Sequence, residues 1–428
     1  MSSASSPRSW RVFLGLNAST MSLLGAILLV TAATELWSPL VPQYLKALQQ
    51  SALRGDASIL LMIGAYGFYR DALEAVNYYA GGAISGRFNT RRALLVFNLL
   101  PLAGLVLLFT WKSTAAVFVA IPFIFVWDSI AGPATITVVG DSLDPARRTM
   151  AFSMQSIFRR VSRILAYLIS APLIAWLGRV DGLRADVAIA VVLVLLALLV
   201  QARYMRTAST DSAVVLNQPL RLLRAFPPDL KRLLAADILA RWAEGLAGPF
   251  IILFCVPLLS SDPNHGTALY QSVLLTIQAV TNIVLYLVIG PLASREGLAK
   301  KPFIGWTFVF FAAFPVSLIL LGPKFGIIGL ALAFVVGGFR EIGEPARKAM
   351  IAELVPHDVR TQAIGLYWSV RGVCVMLASP VGALCWLVGE RFQPGAGPVL
   401  TFSVAAAFGV VGAALFALRF GRVAPVPH

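Results

Sequence analysis

Charge is scarce in this chain. Asp, Glu, Lys and Arg make up 13% of its 428 residues, about half the share of a soluble domain. Apolar residues make up 58%. Long apolar runs with so few charges exclude a soluble globular protein and point to a polytopic membrane protein. Acidic residues are scarcer still: 20 against 35 Lys and Arg, for a net charge of +15. In a membrane chain that excess reads as basic loops on one side of the bilayer rather than as a nucleic-acid surface.

Cysteine is nearly absent. Cys255, Cys374 and Cys385 all fall in apolar runs. Cys374 and Cys385 would stand about 16 Å apart on one helix, too far to bridge, so no disulfide framework is expected. Catalytic signatures are missing as well. There is no GxxxxGK[ST], HExxH, GxSxG or CxxC, and His265, His357 and His428 are too scattered for a metal site. Neither an enzyme nor a bound metal or cofactor is expected. The first apolar run is too long for a signal peptide and lacks a clear cleavage site.

What is present is a series of apolar spans, near residues 17–46, 58–85, 92–111, 114–140, 149–178, 184–204, 233–260, 269–293, 302–322, 326–350, 361–388 and 396–419. Backbone polar groups in lipid must bond internally, so twelve helices are expected. With cations near span ends counted in the adjoining loops, 21 of the 35 Lys and Arg fall on one side, 7 on the other and 7 deep inside spans. This bias places both termini in the cytoplasm. The polar, Pro-containing, basic stretch 206–232 is the one long connection, and it divides the chain into six-helix halves at 1–205 and 233–428. Some amphipathic helix lying on the membrane surface is expected within it.

The halves repeat. GPATITVVGDSLDPARRTMA (132–151) aligns with GEPARKAMIAELVPHDVRTQA (343–363) at an offset of 212. Asp141 then meets Glu353, Arg148 meets Arg360, and Arg159 meets Arg371. GAISGRFNTRR (82–92) aligns with GPLASREGLAKK (290–301) at an offset of 208, so that Gly82 meets Gly290, Arg87 meets Arg295, and Arg92 meets Lys300. The same orientation in both halves implies a parallel duplication about an axis along the membrane normal.

On these residues the sequence resembles the major facilitator superfamily, whose loop signature after the second helix is matched at Gly82, Arg87, Arg91 and Arg92. It departs at Gly86, where the family has Asp, and at Asn89, where it has Gly. The second copy keeps Gly290, Arg295, Gly297 and Lys300, with Ser294 at the acidic position. The signature's cations also have a purely topological reading, as anchors that cannot cross the bilayer. The resemblance implies an all-α fold of two pseudo-symmetric six-helix bundles, with the first, fourth, seventh and tenth helices lining a central cavity. It implies a secondary transporter working by alternating access, and a monomer, with a small solute, protons and the bilayer as partners. Strong positive-inside bias and compact loops suggest a bacterial inner membrane.

Ionisable groups inside spans cost about 2.5–3.5 kcal/mol each on insertion scales, so they face a cavity or a partner. In YGFYRDALEAVNYY, Arg70 and Glu74 are four apart and can pair, which leaves Asp71 over. Asp128 and Arg340 are equivalent positions and could face each other across the halves. The alternative is pairing within each half, Asp128 with Arg159 and Glu341 with Arg371. Glu35 and Glu244 each precede a proline, Pro39 and Pro249, and a desolvated carboxylate there suits a proton carrier. In SIFRRVSRILAYLISAP, snorkelling toward the cytoplasmic boundary accounts for Arg160, less well for Arg159 and least for Arg163. Arg163 and Arg371 therefore read as cavity cations able to hold an anionic group.

Two directions stay open. Efflux of amphiphilic compounds suits the aromatics of the cavity helices, Tyr66, Tyr69, Trp127, Trp242, Tyr367 and Trp368, although such aromatics are more often lipid-facing or packing residues. Import of a small anion suits the arginines. The helix-five Gly-Pro motif of antiporters has only a loose echo in SAPLIA (170–175). A third reading, from a different class, is a ligand sensor that keeps the fold without transporting.

Overall fold

The structure, a computed structural model, describes residues 18–51, 56–84, 90–125, 145–204, 219–293, 301–355 and 360–419. Every element within them is helical. The first half gives α1 (Ala18–Trp37), α2 (Val41–Ser51), α3 (Asp56–Ile84), α4 (Thr90–Thr110), α5 (Thr114–Ile124) and α6 (Pro145–Tyr204). A short α7 (Pro219–Arg224) lies in the connection. The second half gives α8 (Pro228–Leu259), α9 (Pro263–Leu269), α10 (Thr276–Ala293), α11 (Lys301–Gly338), α12 (Glu344–Leu354), α13 (Arg360–Val375), α14 (Ala378–Phe392) and α15 (Gly397–Arg419). Six stretches among the described residues are long and apolar enough to cross a membrane.

Two of those stretches are each two passes. Within α6, Gly178 has φ +81°, and within α11, Gly326 has φ +55°. Glycine adopts such backbone at little cost. At each, the chain folds back on itself. Ser170 and Asp186 would be about 24 Å apart on a continuous helix, yet their side chains hydrogen-bond at 2.5 Å. Likewise Gly322 packs beside Leu330.

Prolines and glycines break other spans where the sequence reading ran one helix through. A 3-10 turn at Ser38–Leu40 separates α1 from α2 at Pro39. After Gly337 and Gly338, α11 gives way to a 3-10 turn, Phe339–Glu341, and the chain restarts as α12 with Pro345 at its first turn. Arg340 and Glu341 therefore sit on a tight turn and not in mid-helix. Between α9 and α10 lies a π-helical turn, Tyr270–Leu275, a form that concentrates at functional positions.

The halves meet along two seams. On one, α3 runs against α13 and α14 through small residues: Gly64 against Ala383, Gly67 against Ser379, Gly372 against Ala75. Lipid offers no hydrophobic drive between helices, so close approach of small residues supplies the packing. On the other, α6 runs against α9, the π-helical turn and α10. The end of the bundle where α1 begins and α15 finishes is called proximal below, and the end carrying the Gly178 turn distal.

Candidate substrate cavity

Between the halves lies a cavity of ≈ 380 Å³, within the range of small-molecule sites. Helical periodicity builds its walls. On α3, Tyr66, Arg70, Glu74 and Tyr78 recur every four residues and share one face, joined by Asp71. On α8, Arg241, Glu244, Gly245, Gly248, Pro249 and Ile252 follow the same stripe, and on α13 so do Trp368, Arg371, Gly372 and Val375. Pro39 and Pro249, singled out in sequence, both line it. The lining charges balance: Arg70, Arg241 and Arg371 against Asp71, Glu74 and Glu244.

Pairing departs from the sequence expectation at several points. Arg70 makes its closest contacts with Asp71, at 2.8 and 2.9 Å, and stands 3.9 Å from Glu74. Asp71 is thus not left over. A long guanidinium can bend across to the next residue, which helical-wheel reasoning neglects. Arg340 pairs with Glu244 at 3.5 Å and lies over the Phe314 ring at 4.5 Å. Glu244 also accepts from Arg241 at 2.5 Å. Asp128, the expected partner of Arg340, lies outside the described residues.

Glu341 does not meet Arg371. It pairs across the halves with Arg160 at 3.1 Å and accepts from Tyr286 Oη at 2.7 Å. Asn282, turned with its amide oxygen toward Arg160, accepts from Nε at 2.9 Å and donates to the Gly338 carbonyl at 2.8 Å. The snorkelling account of Arg160 is therefore corrected: only 8% of the residue is exposed. Arg163 ion-pairs with Glu35 at 2.5 Å, and Glu35 accepts from Tyr167 Oη at 2.8 Å. Their pairing lies within the first half, and neither is among the residues that line the cavity.

Arg371 does face the cavity, packed over Trp368 at 5.2 Å. Behind it lies a residue the sequence reading missed. Asp237 is fully buried on α8 and pairs with Arg347, with Arg371 at 3.3 Å and with Arg241 at 3.9 Å, while Tyr367 Oη donates to it at 3.3 Å. Glu344 bridges Arg347, Arg241 (3.6 Å) and Lys348 (3.5 Å). Arg347, which by its place near the end of the span 326–350 counts with the cytoplasmic cations, is 2% exposed. A signal existed: Asp237, Arg241 and Glu244 lie at i, i+4 and i+7, one face of one helix.

Of the candidate aromatics, Tyr66 and Trp368 line the cavity. Tyr69 packs on Phe118, Trp242 stacks on Phe408, and Tyr367 is buried against Asp237. Trp127 lies outside the described residues. So do Asp141, Arg87, Arg295, Gly297 and Lys300, and the side chains of Arg91, Arg92, Arg148 and Arg360. Gly82 and Gly290 fall near the ends of α3 and α10, and Glu353 is exposed on α12.

Residues 233–428 match the family model described as the Major Facilitator Superfamily. None of the curated proteins matches the sequence. Among solved structures, the chain is similar to the human organic anion transporter MFSD10 (TETRAN), at 16% identity and TM-score 0.66, over 93% of this chain and 99% of that one. It is also similar to a mutant of the nucleoside transporter NupG, at 14% identity and TM-score 0.70, over 95% and 100%. At these identities the likeness is one of fold.

Proposed function

We propose that the chain, whose residues 233–428 match the Major Facilitator Superfamily and whose fold is similar to solved transporters over almost its whole length, is a member of that superfamily and carries a small solute across a membrane by alternating access, coupled to protons and in the direction of export. The halves 1–205 and 233–428 would rock about the connection 206–232. The excess of Lys and Arg on one side supports cytoplasmic termini and a bacterial inner membrane.

The observation that carries this reading is the cavity between the halves, with three carboxylates and three guanidinium groups among its lining residues. Charged groups at such depth are costly unless paired or in use. A balanced set, flanked by Tyr66 and Trp368, suits a polar or amphiphilic solute that carries both signs or none in excess. Import of a simple anion would rely on Arg371 in particular, since it faces the cavity. Among the carboxylates, Glu244 is the proposed proton carrier: it lines the cavity and holds two arginines whose pairing changes when it is neutralised.

The test is flux in proteoliposomes under an imposed pH gradient. Ligands would first be found by thermal shift against zwitterions, anions and cationic amphiphiles, since native-state ligands raise the melting temperature. We expect gradient-driven movement of a stabilising compound, and loss of gradient dependence in Glu244→Gln with binding retained. Stabilisation by simple anions alone, abolished in Arg371→Ala, would instead favour anion import. Flux indifferent to the gradient would refute proton coupling.

A further inference from the structure

One buried acid takes no part in the cavity or its charge network. Asp186 is 0% exposed. It lies eight residues beyond the Gly178 turn, Ser170 lies eight before it, and Gln271 lies eight beyond Pro263 at the start of α9. All three are thus about 12 Å in from the distal end, at the seam between the halves. Ser170 Oγ is 2.5 Å from Asp186 Oδ2 and 3.0 Å from Gln271 Oε1. Gln271 sits on the π-helical turn.

Among the described residues no cation balances this carboxyl: Asp186 has no ion pair, and its Oδ1 has no hydrogen-bond partner. Most titratable groups on the elements around it are engaged elsewhere or neutral, and Lys46 on α2 lines the distal rim beside Gln43 and Arg179. On α1 and α6, Glu35 and Tyr167 are bonded to each other and Glu35 to Arg163. At the distal rim, Arg179 bonds Gln43, Arg184 and Lys112 hold Asp181, and Asp262 caps α9 beside His265. Tyr44 on α2 and Tyr270 on the π-helical turn are neutral phenols.

The proton count is informative. Ser170 has one hydroxyl proton but stands within bonding distance of two oxygens that accept. With the Gln271 amide oriented as here, Oε1 toward Ser170 and Nε2 without a partner, an ionised Asp186 would leave one of those contacts without a proton, and would leave an uncompensated charge in a site closed to solvent. A protonated Asp186 satisfies both: its O–H donates to Ser170 Oγ, whose O–H donates to Gln271 Oε1. The 2.5 Å separation leaves no room for a metal ion between the oxygens.

We propose that Asp186 is a proton-binding site whose occupied form latches the two halves together at the distal end, through the relay Asp186–Ser170–Gln271. Loss of the proton removes the relay's donor and places an uncompensated charge in the seam, so the distal end opens. This goes beyond the cavity chemistry and rests on alternating access only for its consequence in transport.

The test uses the purified full-length chain in lipid nanodiscs. Infrared difference spectra at neutral pH should show a carboxylic-acid C=O band that is absent in Asp186→Asn and shifted in Ser170→Ala. Spin labels at the distal ends of α6 and α9 should separate as pH rises in the wild type. In Asp186→Asn they should stay together across the range, because the amide donates like the protonated acid. Ser170→Ala, which keeps the acid and breaks the relay, should be open at lower pH than wild type, and serves if the Asn variant does not fold. Absence of a band assigned to Asp186 overturns the proposal, as an ionised Asp186 facing a turned Gln271 amide predicts. So does an unaltered pH response in both variants, or closure that follows sodium at fixed pH. The infrared readout does not require transport, so its failure is separable from failure of the carrier reading.

Discussion

Arg160→Met should open the proximal end of the transporter, and adding Glu341→Leu should close it again. The pair joins α6 of one half to the turn after α11 of the other at 3.1 Å, with side-chain exposures of 10% and 22%. Removing one partner of a buried pair costs about 3–5 kcal/mol, because the remaining charge is left uncompensated. Glu341 keeps its bond from Tyr286 and some contact with solvent, so the low end, about 3 kcal/mol, applies. That penalty falls on the closed arrangement alone, since an opened seam hydrates the charge. At 1.4 kcal/mol per tenfold change, the open population should rise about 100-fold. Removing both charges leaves apolar groups in contact, an exchange that is often neutral or stabilising for buried pairs. The assay is the distance between spin labels at the proximal ends of α6 and α12, measured for wild type, both single variants and the double variant. Single variants as closed as wild type, or a double variant as open as the singles, would refute the reasoning.

Asp237→Asn should destabilise the fold by about 3–5 kcal/mol, because Arg347 and Arg371 would lose a fully buried counter-charge; thermal unfolding in detergent should show a clear drop in Tm. Gly67→Val should weaken the α3–α14 seam, since even a Cβ there would lie 2.6 Å from Ser379 Cβ, an overpacking typically worth about 1–3 kcal/mol; a Tm equal to wild type would show that the seam can yield.

The charge network explains why single-residue readings of the acids and bases fell short. Spacing along one helix correctly brought Arg70 near Glu74, yet the shorter bond is to Asp71. Depth counted along one helix put Arg160 at the boundary, but depth does not reveal a partner on another helix. Arg160 is held by Glu341 and Asn282, residues more than 120 positions away in the other half. Arg347 reads as a loop cation because its neighbours are polar and Pro345 precedes it. It is buried because α12 meets α8, where Asp237 and, on α12 itself, Glu344 pair with it.

The sequence by itself determined what lipid demands. Apolar spans must be helices, because their backbone can bond only within the span. The break at Pro39 and the stripes on α3, α8 and α13 follow from local pattern and period, while α8 runs unbroken through Pro249. Tertiary structure decided which charge meets which. Ion pairs within a bundle are set by how helices cross, and a long guanidinium reaches any of several partners within a few ångströms. Asp186 shows the difference most clearly. In sequence it is one acid near the start of an apolar run; only the reversal at Gly178 sets it against Ser170, and only the meeting of the two halves brings Gln271 to complete the relay.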